Sequence, residues 1–164
     1  MITLSPALPA EFPTIRHIAE QTWPVTYGNI LSKEQLLYMI AKLYSDEKLQ
    51  RDASAGHVFW FAREDDAVLG FIGIEHRLEG DASKLHKIYI LPEAQGKGIG
   101  ALLMDKAESL AEEAGSKRII LNVNRFNNAR YFYEKRGFVV MSLEDIDIGE
   151  GFLMEDYVMA KELG

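Results

Sequence analysis

The stretch Leu91–Gly115, LPEAQGKGIGALLMDKAESLAEEAG, places three of the chain's thirteen glycines, Gly96, Gly98 and Gly100, at the mouth of a helix. Ahead of it lies SKLHKIYIL (83–91), whose alternation and β-branched content read as a strand that Pro92 ends. Behind it, Ile99, Leu102, Leu103, Leu110, Ala111 and Ala114 fall on one face of a helix and Asp105, Glu108, Glu112 and Glu113 on the other, with Gly115 as its stop. A glycine-rich loop that opens a helix leaves unpaired N–H groups and the positive end of the helix dipole at one point, with no Cβ to hold a ligand away. A phosphate or pyrophosphate suits such a place. A P-loop requires Gly-x-x-x-x-Gly-Lys-Ser/Thr, which the residues after Lys97 do not supply. A dinucleotide fingerprint requires Gly-x-Gly-x-x-Gly after the first strand of a βαβ unit, and here the third glycine comes one position early. The pattern that remains is Gln/Arg-x-x-Gly-x-Gly/Ala, met by Gln95 to Gly100.

Composition bounds the rest. A chain of 164 residues that is 48% hydrophobic and 26% charged is expected to form one globular domain over 1–164. No apolar run reaches the ~20 residues of a membrane span, and the N-terminal MITLSPALPAEF lacks the basic and apolar regions of a signal peptide. The absence of cysteine excludes disulfides, thiolate metal sites and a cysteine nucleophile, and fits a cytoplasmic setting. The four histidines show no tight ligand spacing, so no metal site is expected. The net charge of −7 is uneven. Residues 84–137 carry ten Lys/Arg and six Asp/Glu, the remainder eight and nineteen. A basic middle in an acidic chain suggests an anionic ligand there and a cationic one elsewhere, although solvated charge alone accounts for it equally well.

Helical spacing runs from Ala10 to Gln21, with Trp23-Pro24 expected to stop it. Ser32–Gln35 reads as a capping box ahead of a second helix carrying Leu36, Leu37, Ile40, Leu43 and Tyr44. HVFWFA (57–62) and AVLGFIGIEHR (67–77) read as strands joined by a turn at Glu64-Asp65-Asp66. RIILNV (118–123) is apolar enough for a strand covered on both faces, and NNARYFYEKR (127–136) is a short helix with an asparagine cap. Two strands flank Gly149-Glu150-Gly151 as a closing hairpin, and Ile2–Leu4 is a candidate first strand. This order gives an α/β (α+β) layer fold around one sheet.

Two blocks in order and at proper spacing carry a resemblance. IYILPEAQGKGIGALLMDKA (88–107) resembles the acetyl-CoA motif of the GNAT (Gcn5-related) N-acetyltransferases. LNVNRFNNARYFYEKRGF (121–138) resembles that family's later motif, in which an asparagine, an alanine and a tyrosine precede Gly-Phe. The resemblance spans the chain and implies a mixed, largely antiparallel central sheet flanked by helices. It implies that acetyl-CoA lies along Ile88, Tyr89 and Ile90, whose backbone would pair with pantetheine as with an added strand. The pyrophosphate would then sit on Gln95, Gly96, Lys97, Gly98, Ile99, Gly100 and Ala101. The family's tyrosine falls on Tyr133 and its asparagine on Asn127, or on Asn128, because Asn127 stands only two residues before Ala129 and Phe126 occupies the usual place. Positions that carry a glutamate base in protein N-terminal and histone-type members read Asn122 and about Lys84 here, so neither substrate class is supported.

The expected chemistry is attack by an amine on the thioester in a ternary complex, with Tyr133 protonating the departing thiolate. By pattern alone, Phe132 and Tyr133 would read as core. The base is less evident. A primary amine of pKa about 10.4 is almost wholly protonated at pH 7, a penalty of about 4.6 kcal/mol. His86 and Glu75 are candidates because they lie on strands expected beside the cofactor, though His86 reads more readily, and Glu75 as readily, as an ordinary strand residue. Lys97, Arg130, Lys135 and Arg136 are candidates for cofactor phosphates or plain solvated charge. Trp23, Tyr27 and Tyr38, with Glu75, border the expected acceptor site, where aromatic residues also read as core. LEDIDIGEGFLMEDY (143–157) adds six acidic residues that would attract a cation, or would protect a sheet edge. The expected reaction is acetyl-CoA-dependent N-acetylation of a small cationic, polyamine-like amine. A peptide or protein amine and a non-catalytic coenzyme A-binding module are the rivals. No nucleic-acid or membrane partner is expected, and a homodimer is left open.

Overall fold

In the computed structural model, which describes residues 1–164, seven strands form one sheet in the order β1-β2-β3-β4-β5-β7-β6. They are β1 (Ile2–Pro6), β2 (His57–Glu64), β3 (Ala67–Leu78), β4 (Ala82–Ile90), β5 (Arg118–Asn124), β6 (Val139–Gly149) and β7 (Phe152–Glu162). Every pairing is antiparallel except β4 with β5. Helices α1 (Phe12–Tyr27), α2 (Lys33–Tyr44) and α3 (Asp46–Ser54) cover one face, where Ile15, Tyr44, Phe61 and Phe71 are fully or almost fully buried. Helices α4 (Ile99–Glu113) and α5 (Ala129–Lys135) pack on the opposite side with Ile72, Ile74, Leu103 and Met159. No helix is long and apolar enough to cross a membrane.

The expected elements form, with four corrections. First, α1 continues through Pro24 to Tyr27. Proline removes one intrahelical donor, but only one turn remains, and Trp23 and Tyr27 are held in the core with ring centroids 4.7 Å apart. Packing outweighs one lost hydrogen bond. Second, α3 was not expected. Ser45 caps it by accepting from the Lys48 N–H at 3.2 Å, and Leu49 is fully buried beneath it. Third, β5 is not covered on both faces alike. Ile119, Leu121 and Val123 are buried, whereas Ile120 and Asn122 face the other side half-buried. Fourth, two leucines lie off their buried stripes: Leu102 of α4 at 39% exposure, where Met104 and Ala107 complete the stripe, and Leu37 of α2 at 56%, where Met39 takes its place.

Of the expected capping box only the Ser32 half forms: its Oγ accepts from the Gln35 N–H at 3.1 Å, whereas Gln35 Nε2 donates to the Leu153 carbonyl at 2.8 Å. Ser32→Ala should cost about 1 kcal/mol. For a chain of this size that is a fall in Tm of about 2–4 °C by scanning calorimetry. An unchanged Tm would show that water satisfies that helix end equally well.

Candidate active site

The parallel pair β4–β5 is joined only over Ala82–Leu85 with Arg118–Leu121. Beyond Leu85, β4 runs on to Ile90 with β3 on one side and no strand on the other. A bulge causes the parting. Gly73 opposes Lys87 and Ile74 opposes Leu85, so His86 has no partner on β3 and the strand bends there. The wedge that opens between the two strands is a cavity of about 460 Å³. Its walls are the free end of β4, Leu121–Val123 of β5, the glycine loop, and the start of α5.

The glycine loop closes one end. Gly96 and Gly98 adopt φ of +83° and +75°, in the left-handed region that costs any residue with a Cβ. A Cβ at either would meet nothing within 4 Å, so the space above the loop is open to a ligand. The first bond of α4 runs from the Leu102 N–H to the Gly98 carbonyl, which leaves the N–H groups of Ile99, Gly100 and Ala101 without helix partners. These donors and the dipole behind them suit a diphosphate. Gln95 Nε2 donates to the Ile90 carbonyl at 3.2 Å, so one acceptor on the free edge of β4 is already engaged.

Tyr133 stands on α5 against the rings of Phe132 and Phe138, and it lines the cavity. Burial, and secondarily the neighbouring Tyr27, raise its pKa above that of an ordinary phenol. It therefore stays protonated throughout the neutral range. The hydroxyls of Tyr27 and Tyr89 lie 3.0 Å apart at the edge of the same cavity. Asn127 fixes the entry to α5, because its Oδ1 accepts from the Ala129 N–H at 2.9 Å.

On the α3 side, His86 Nε2 lies 2.9 Å from Glu75 Oε1, and His57 Nε2 lies 3.4 Å from the same oxygen. The two imidazoles stack at 4.6 Å. Burial pushes His86 down to about 4 against the opposing effect of Glu75, and burial also lowers His57. Both rings are consequently neutral at pH 7. Linear spacing hid this cluster, whose three ligand-type atoms lie within 4.8 Å of one another, because it is assembled from three strands. Beside it, burial lowers Lys87 to about 8, with Asp52 Oδ2 at 3.8 Å holding it partly charged.

A parting between parallel strands, a glycine-opened helix at its mouth and a protonated tyrosine in its wall together form a site for an acyl thioester. Residues 29–161 match the family described as acetyltransferase (GNAT) domain. The chain belongs to the GNAT family of N-acetyltransferases. It is 32% identical over 151 residues to a spermidine N(1)-acetyltransferase of Thermoplasma acidophilum, covering 88% of this chain and 90% of that protein. It superposes with a TM-score of 0.82 on PaiA N-acetyltransferase of the same organism, solved in complex with coenzyme A, at 29% identity and 99% coverage of each chain. Over 54% of this chain and 56% of the relative, it is 35% identical to a ribosomal protein bS18-alanine N-acetyltransferase of Haemophilus influenzae.

As a GNAT enzyme the protein uses acetyl-CoA, and its own geometry fits that molecule. The open loop above Gly96 and Gly98 and the free edge of β4 are the two features a diphosphate and an amide-bearing arm require. Of the residues expected in the GNAT site, the cavity gathers Tyr27, His86, Ile88, Tyr89, Ile90, Gln95, Gly96, Gly98, Ile99, Gly100, Ala101, Asn127 and Tyr133. Glu75 joins through His86. Three do not join. Lys97 reaches toward Glu64 at 3.4 Å on the outside of the loop. Asn128 makes no side-chain cap bond and lies outside the cavity wall, whereas Asn127 lines the cavity and its Oδ1 accepts from the Ala129 N–H. Trp23 is core at 3% exposure, stacked with Tyr27 and Tyr44. The flanking charges Arg130 and Arg136 pair with Glu134 and with Asp105 and Glu108. Tyr38 donates to the Ile148 carbonyl at 2.9 Å. The sequence reading missed Thr26, Lys87, Asn122 and Phe132 as cavity residues. A buried lysine on a strand was the one available signal among them.

Proposed function

We propose that this acetyltransferase transfers the acetyl group to a small, multiply charged amine of the polyamine type, with Tyr133 as the general acid. The observation that carries the chemistry is Tyr133 itself: a buried, protonated phenol in the wall of the cavity that the glycine loop closes. Bound acetyl-CoA supplies a thioester carbonyl and a thiol leaving group. Tyr133 holds the proton that this leaving group takes up as the amine adds. His86 faces the same cavity in its basic, neutral form, and Glu75 orients its ring through Nε2. We assign the relay of the amine's proton to that pair, a neutral imidazole beside a carboxylate. With no cysteine in the chain, direct transfer in a ternary complex is the simplest route.

The cationic acceptor is supported by charge and by likeness. The acidic share of the chain lies outside residues 84–137, and the Thermoplasma relative is named for spermidine. No Asp or Glu lines the cavity itself, but acidic surroundings raise the local concentration of a cation while also favouring its protonated form, which works against attack. A polyvalent amine meets both demands, because one nitrogen anchors while another reacts. In a comparison of spermidine with butylamine at two salt concentrations, spermidine should be preferred. Its apparent KM should rise with salt, since exposed charges are screened beyond about 8 Å at 0.15 M. A preference for butylamine, or a salt-independent KM for spermidine, would overturn the cationic acceptor while leaving the acetyltransferase intact.

A further inference from the structure

Asp156 on β7 is 5% exposed, and it has no cation of its own. Its Oδ2 accepts from Asn122 Nδ2 at 3.2 Å, whereas its Oδ1 is buried without any hydrogen-bond partner. A buried carboxylate oxygen left unpaired is costly, and native structures seldom keep one without a use. The nearest guanidinium is spent elsewhere: Arg125 pairs with Asp145 at 2.5 Å and touches only the backbone carbonyl of Asp156. Burial raises the Asp156 carboxyl above the ordinary range, Glu144 adds to the rise, and Asn122, Lys84 and Arg125 offset it only in part. Asp156 lies on the same side of the sheet as Met154, under the face that α1 and α2 cover. It borders the cavity through two groups of the cavity wall. Asn122 bonds its carboxylate, and the hydroxyl of Tyr27 feels its charge. Tyr27 and Tyr133 line the same cavity.

We propose that Asp156 is the anchor for the acceptor: its Oδ1 receives a protonated nitrogen of a linear polyamine, while another nitrogen of the same molecule reaches the thioester beside Tyr133. The ligand class follows from the chemistry. An unpaired buried carboxylate oxygen calls for a compact cation with N–H donors, and an alkylammonium is one. Asn122 stands between Asp156 and the cavity, and a turn of its side chain admits the ammonium. Tyr27 separates the anchoring nitrogen from the reacting one, so a monoamine cannot occupy both places. This inference rests on the cationic acceptor proposed above and assigns the residue that selects it.

The test is Asp156→Asn, which keeps shape and loses charge. Spermidine binding is measured by calorimetry on the protein saturated with coenzyme A, so that no turnover is needed. Acetyl-CoA affinity and Tm are followed alongside. We expect spermidine affinity to fall at least about tenfold, with acetyl-CoA affinity unchanged. Tm should be equal or higher, because an uncompensated buried charge has gone. Unchanged spermidine affinity in the variant overturns the anchor and leaves the cationic acceptor standing. Lowered Tm together with lost acetyl-CoA affinity marks a structural carboxylate and also overturns it. If the parent protein itself fails to bind spermidine, the cationic acceptor falls first and the anchor with it.

Discussion

Tyr133→Phe should lower turnover by roughly 10²–10⁴-fold, the range typical for loss of a positioned general acid. The substitution removes only the hydroxyl. The ring contacts with Phe132 and Phe138, with centroids at 5.5 and 5.9 Å, remain. Acetyl-CoA affinity should therefore hardly change, because the loop donors and the free edge of β4 are untouched. The pH profile adds a second reading. Burial raises the Tyr133 pKa, so the proton is still present where an ordinary phenol begins to lose it. The parent's rate should thus climb with pH as the amine, of pKa about 10.4, is deprotonated, without a descending limb below about pH 10. Turnover within about threefold of the parent, under conditions where chemistry limits the rate, would reduce Tyr133 to a packing residue.

Gly98→Asp should abolish measurable acetyl-CoA binding in a folded protein. Gly98 precedes α4 in the left-handed region, where any Cβ is strained, but aspartate tolerates that conformation better than most residues, so the variant should still fold at some cost in stability. What changes is the ligand side. A carboxylate would project into space that is open above the loop and meet the diphosphate. Two like charges about 4 Å apart at an effective dielectric of 20 repel by about 4 kcal/mol, or roughly 10³-fold in affinity. Calorimetric titration and a melting curve on the same sample separate lost binding from lost fold. Equal affinity in variant and parent would remove the loop from the site.

The glycine loop was legible in the sequence because it is local, whereas Tyr133, which by pattern reads as core, was singled out only by the resemblance of residues 121–138 to the GNAT motif. Strand, glycines and helix follow one another within 32 residues, Ala82–Glu113, and an amphipathic stripe announces the helix. What stayed hidden depends on register and packing. The His86 bulge, which opens the wedge, exists only as an offset between β3 and β4. The Glu75–His86–His57 cluster requires three strands to be aligned side by side. Asp156 appeared as one of six acidic residues near the closing hairpin, and its singular feature, an unpaired buried oxygen, arises from what surrounds it. Pro24 shows the opposite case. Its local signal is strong and correct in kind, but burial of Trp23 and Tyr27 overrides it. Helix α3 is short and largely polar outside, with Leu49 and Asp52 as its only buried residues, so its periodicity is faint.

Release of free thiol from acetyl-CoA by the unmodified protein tests the central claim most directly. It is followed with spermidine, butylamine and a short peptide bearing a free N-terminus as alternative acceptors, and mass spectrometry locates the acetyl group. The expected result is thiol release that depends on an added amine and is fastest with spermidine, with one acetyl group recovered on its nitrogen and none left on the protein. Bound coenzyme A with no thiol release for any acceptor would contradict it and describe a binding module instead.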